Sequence, residues 1–155
     1  MGELSHLDAA GQAHMIDVGD KPITHRQAVA EARVHMSAAA ADALFGGELP
    51  KGDALGVARV AGIQAAKRTS ELIPLCHPLA LTTISVEIGR EGDDAVVTCS
   101  VGATGQTGVE MEALTAASVT ALTVYDMVKG LERRAEIASV RLLKKSGGKS
   151  GEWTR

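Results

Sequence analysis

Residues 81–101, LTTISVEIGREGDDAVVTCSV, decide the fold. Ile84, Val86 and Ile88 alternate with other residues, and Ala95, Val97, Cys99 and Val101 alternate in the same way further on. A side-chain period of two belongs to a strand with one covered face. Glu91-Gly92-Asp93-Asp94 supplies a turn between the two runs, so the stretch reads as a β-hairpin.

Working upstream, Pro74 and Pro78 bracket a rigid, non-helical segment. Before it, a helix is expected from Pro50–Gly52 to about Leu72. Its apolar stripe would be Val57, Val60, Ala61, Ile63, Gln64 and Ala65. Ser37 can cap a short helix to about Leu44, ended by Gly46-Gly47. From Arg26 the chain alternates, with Ala28, Ala30, Ala32, Val34 and Met36 on one side, which is a half-buried strand. His14 to Val18 reads as a further short strand, and residues 1–12 as a flexible arm.

Downstream of the hairpin, Gly102 to Gly108 is a glycine-rich connection. A long helix from Val109 to about Arg134 follows, apolar on most sides. Ile137 to Leu143 is the last strand, and a basic, glycine-rich tail closes the chain. The order is strand, helix, strand, strand, helix, strand. That predicts an α+β fold: a ferredoxin-like βαββαβ antiparallel sheet with helices on one face, plus a short inserted helix. Residues 1–155 read as one domain, with 1–12 and 146–155 as flexible arms.

Composition narrows the function. The chain has 155 residues, 45% of them hydrophobic and 2% aromatic, with a net charge of −3. A core of small aliphatic side chains buries little area per residue, so association between subunits is expected to add burial. A nucleic-acid-binding surface usually makes a domain basic, so DNA and RNA are not expected partners. No run of 18 apolar residues exists, so no membrane span is expected. Two cysteines and no apolar leader make the cytoplasm the expected compartment.

Four groups of residues invite chemistry. In Ile73-Pro74-Leu75-Cys76-His77-Pro78-Leu79 the prolines stiffen the backbone around a thiol and an imidazole. No CxxC or HExxH spacing accompanies them, so no metal is expected. Thr104 to Glu112 leads a glycine-rich turn into the long helix, where free backbone N–H groups attract anions. Glu110 and Glu112 suit the helix dipole. Apolar neighbours would also draw Glu112 toward a low-water site, where a guanine-type edge rich in N–H donors would satisfy it.

Asp126 and Lys129, three apart on the same helix, can touch. Among apolar neighbours the pair is expected to be partly buried and fit for proton transfer. Glu112 and Asp126 fall near one stripe of the helix, roughly 20 Å apart. Lastly, Lys51, Lys67, Arg68, Lys144, Lys145 and Lys149 are cations in an acidic chain. Ser146 to Gly151 is not a P-loop, because Leu143 stands where that pattern needs glycine and no helix follows. A glycine-rich strap with lysines can still fold over phosphates.

Together these segments resemble the MoaC family of molybdenum cofactor biosynthesis proteins, the cyclic pyranopterin monophosphate synthases. The resemblance is carried by Leu4-Ser5-His6 with Ala13 to Val18, Lys51-Gly52-Asp53, Ala58 to Thr69, Leu72 to Leu79, Thr107 to Ser118, Tyr125-Asp126-Met127 and Val140 to Gly151. Gln106 stands where a basic residue is expected, and Ser70 where an aromatic is common.

The resemblance implies conversion of 3′,8-cyclo-7,8-dihydro-GTP to cyclic pyranopterin monophosphate and pyrophosphate. It also implies a hexamer built as a trimer of dimers, with active sites between subunits. By position, Leu75, Cys76, His77, Met111 and Glu112 match substrate-binding segments, and Asp126 the catalytic aspartate. Lys51, Lys129, Lys145, Lys149 and Arg26 match the same pocket, Arg26 with the neighbouring chain as a candidate source. Chemistry suggests proton transfer for Asp126 and Lys129, and a general acid in Lys51. It suggests phosphate binding for His77, Lys145, Lys149 and Arg26, and base recognition for Glu112. No resident cofactor is expected; whether Mg²⁺ accompanies the triphosphate stays open. The rival readings are a non-enzymatic nucleotide-binding regulatory module and a structural assembly subunit.

Overall fold

The computed structural model describes residues 6–155, so Leu4 and Ser5 of the first matching motif lie outside the described residues. The elements are β1 (Thr24–His35), α1 (Ala38–Gly46), α2 (Ala54–Lys67), α3 (Thr69–Leu72), β2 (Leu81–Glu91), β3 (Asp94–Gly105), α4 (Glu110–Val128), β4 (Glu136–Ser146) and β5 (Trp153–Thr154). The described strands form one antiparallel sheet in the order β2-β3-β1-β4-β5. Its first four strands have the split βαβ arrangement that the alternating pattern predicts, and α2 and α4 pack together on one face.

The core lies between that face and α4. Ala28, Ala30, Ala32 and Val34 of β1 stand opposite Val101, Cys99, Val97 and Ala95 of β3, all fully buried. Ala113, Ala116, Ala117, Ala121 and Val124 of α4 are buried as completely. Such small side chains let backbones approach closely. Gly62 of α2 marks the tightest point. A Cβ there would fall on the Thr120 hydroxyl and lie 3.2 Å from the Ala116 carbonyl oxygen.

This close approach corrects the stripe expected on α2, of which Ala65 alone is buried, with Ile63 partly so. The buried residues are Ala54, Ala58, Gly62, Ala65 and Ala66, whereas Val57 and Val60 are 49% and 54% exposed. At Gly62 the space beside α4 admits only the smallest side chain, and Val57 and Val60 face outward. The helix expected over 50–72 is also two helices. Asp53 caps the first, accepting from Gly56 N at 2.8 Å, and the chain breaks at Arg68 before α3.

Other boundaries shift for local reasons. α4 stops at Val128, not near Arg134, as the Leu131 and Glu132 amides turn back to the Val128 carbonyl. β3 runs on to Gly105, so the connection into α4 shrinks to residues 106–109. Residues 14–18 form no strand. The nearest pairing is an isolated bridge between Leu7 and Ala13. In the basic tail, Trp153 and Thr154 pair with Lys145 and Lys144 of β4. No described helix is long and apolar enough to cross a membrane.

Candidate active site

Two adjoining clefts open beside the start of α4. The first, of about 320 Å³, is lined by Leu75, Cys76, His77, Glu110, Met111 and Glu112, with Ile16 and Val18 opposite. The proline-framed loop and the first turn of α4 form this wall. The second cleft, of about 460 Å³, is lined by Arg26, Lys145, Lys149, Gln106 and Ser150. Lys21, Thr107 and Gly108 line both.

Glu112 dominates the first cleft. It is only 4% exposed, and no cation stands within salt-bridge distance among the described residues. Burial raises its pKa above the usual carboxylate range, and the neighbouring Glu110 charge adds to the rise. Burial also raises the Cys76 thiol, with a contribution from Glu112. His77 Nε2–H donates to the Ile16 carbonyl oxygen at 2.8 Å. The ring therefore tethers Ile16, which lines the same cleft.

The second cleft is a cation cluster built by strand register. Arg26 continues the inward-facing series of Ala28 and Ala30, and it is 7% exposed. Its Nε donates to Gly105 O at 3.3 Å and its Nη2 to Gln106 O at 3.2 Å. Gly147 and Gly148, with φ of 96° and 73°, let the chain cross over Arg26. A Cβ at Gly147 would strike the His25 carbonyl, and one at Gly148 the guanidinium. Lys145 pairs with Glu110 at 2.7 Å. The Gln106 amide, where a cation is expected by resemblance, donates to Gly19 O at 2.7 Å and Lys21 O at 3.2 Å. It thereby fixes the turn that carries Lys21.

A third group lies at the opposite end of α4. Lys51 Nζ donates to Asp126 Oδ2 at 2.8 Å and to Asp126 O at 2.9 Å. Lys129 Nζ lies 2.6 Å from Asp126 Oδ1. These hydrogen bonds, from Lys129 first and Lys51 second, hold the Asp126 pKa down to about 2. The partner effect raises Lys129. The burial of this pair is no more than partial. Asp126 and Lys129 side chains are each 50% exposed, because the residues beside them that are fully covered, Val124 and Val128, point to the sheet instead.

Of the residues picked out from sequence, Leu75, Cys76, His77, Met111 and Glu112 share one cleft, and Arg26, Lys145 and Lys149 share its neighbour. His77 is therefore separated from the cations it was expected to join. Asp126, Lys129 and Lys51 meet one another but line neither cleft. On one chain they stand roughly 20 Å from Glu112 by helix rise. Sequence reasoning missed Lys21 as a site residue, and a loop lysine carries no periodic signal that could have found it. It also missed the pairing of Glu110 with Lys145. The family model described as the MoaC family matches residues 15–148 of the 155.

Proposed function

The chain belongs to the MoaC family, and from that premise we propose that it is a cyclic pyranopterin monophosphate synthase. Membership gives it a role in molybdenum cofactor biosynthesis. The substrate is 3′,8-cyclo-7,8-dihydro-GTP, and the products are cyclic pyranopterin monophosphate and pyrophosphate, which makes the enzyme a phosphorus–oxygen lyase acting in the cytoplasm.

One observation carries this reading: two clefts of opposite character share a wall. The first presents a buried carboxylate without a cation partner among the described residues, the second four cations. A guanine-type edge offers N–H donors to Glu112, while a triphosphate suits Arg26, Lys21, Lys145 and Lys149. Leu75, Cys76, His77 and Met111 shape the base side. Opening the purine ring, closing the pterin and pyran rings and attacking the α-phosphate with a sugar hydroxyl all require protons to move. We assign this work to Asp126, Lys129 and Lys51.

In the free chain Asp126 is too acidic and Lys129 too basic to exchange protons readily near neutral pH. Desolvation of the trio would draw both pKa values back toward that range. A neighbouring subunit supplies that cover in the proposed hexamer, a trimer of dimers, by laying its clefts over the trio. The distance along α4 supports the same arrangement, since one chain alone cannot bring Asp126 to its own clefts. Incubating purified protein with the cyclised GTP derivative and measuring pyrophosphate tests the proposal. Stoichiometric release with a pterin product is expected. Nucleotide binding without release would favour the regulatory-module reading.

A further inference from the structure

The Lys145–Glu110 contact is the one ion pair among the described residues that joins the two clefts. Its side chains are 21% and 26% exposed, so it is only partly screened by water. The Glu110 carboxylate folds back over Gly108, where a Cβ would strike its Oε2. It thus reaches through the shared wall and holds a cation of the neighbouring cleft. Arg26, by contrast, is held by neutral carbonyl oxygens, which leave its charge uncompensated. Of the four cations facing the second cleft, Lys145 alone comes with a counter-charge among the described residues.

A pyrophosphate group that engaged all four cations fully would leave slowly, because affinity differences reside mostly in dissociation. We propose that Glu110 is a resident counter-ion that competes with phosphate for Lys145. It takes the ammonium back as pyrophosphate departs, and so limits the grip of the cleft on that product. This inference rests on the reading of the second cleft as a phosphate site.

The test is calorimetric titration of the intact protein with inorganic pyrophosphate. Glu110→Gln keeps the size of the side chain and removes its charge. It should bind pyrophosphate about five- to tenfold more tightly than the natural protein, an effect in the range of a partly buried ion pair. In a Lys145→Ala background the same change should alter affinity less than about twofold, because no ammonium remains to be released. Glu110→Ala is a second variant and should show the same gain. Unchanged or weaker binding by both Glu110 variants overturns the inference while leaving the phosphate site standing. An equal gain in the Lys145→Ala background also overturns it, since Glu110 would then act only as a general negative charge. Failure of the natural protein to bind pyrophosphate at all removes both the site and the inference.

Discussion

The two ends of α4 solve the problem of a carboxylate in opposite ways. Glu112 and Asp126 fall near the same stripe of one helix, yet their pKa values move in opposite directions. At the first turn, burial without a cation makes ionisation costly and raises Glu112. At the last turn, two ammonium groups surround a half-exposed Asp126 and lower it to about 2. A buried carboxylate that no cation of its own chain pairs with, among the described residues, is prepared for a ligand that brings donors. One already held by two lysines is prepared to order those lysines. Position along a helix does not decide the role; what packs around it does.

The largest effect should come from the Asp126 end. Asp126→Ala should lower product formation by about a thousandfold, within the range of lost acid–base catalysis, and change nucleotide affinity less than about threefold. A near-normal rate would break the assignment. Mixing sharpens the comparison. At substrate well below saturation, inactive Asp126→Ala subunits mixed with weakly binding Glu112→Ala subunits should recover about a quarter of the natural activity after random reassembly, if each site draws one end of α4 from each of two chains. No recovery would place both ends in a single chain's site.

Glu112→Gln comes next. Substrate affinity should fall about tenfold or more, the scale of a charged hydrogen bond lost. The free protein should nevertheless melt about 2–4 °C higher at neutral pH, because a buried charge has been removed. The sign follows from linkage. Glu112 has a raised folded-state pKa, so folding takes up a proton in the window between the unfolded value and the raised one. Its penalty therefore grows as pH rises through that window and persists at neutral pH.

The smallest effect is in acid. The contribution of the Asp126 ion pairs is complete above the unfolded carboxylate range and is lost as pH falls through about 2. Carboxyl-resolved NMR titration of the protein dissociated to single chains should show Asp126 with a midpoint near 2 and Glu112 above the ordinary range. Coincident midpoints would erase the contrast between the two ends.

Much of the fold was legible in the chain. The hairpin, the inward series Ala28 to Val34 and the Ser37 cap are local, and each formed where the pattern places it. The proline-framed loop and the first turn of α4 carry equally local signals, and the two segments line one cleft. The α2 stripe was misread because hydrophobicity favours Val57 and Val60, whereas the residues α2 buries are glycine and alanine. Lys21 was missed because its place depends on Gln106, 85 residues later, holding its loop.

The sequence by itself determined the order of the four long strands and of α1, α2 and α4, because turns, caps and side-chain periodicity act between near neighbours in the chain, and its motifs carried the family. Only the tertiary structure decided which carboxylate is buried and which is paired, which cations share a cleft, and that Glu110 meets Lys145. Burial and ion pairing depend on distances between residues far apart in the chain, and those distances exist only once the sheet and helices have packed.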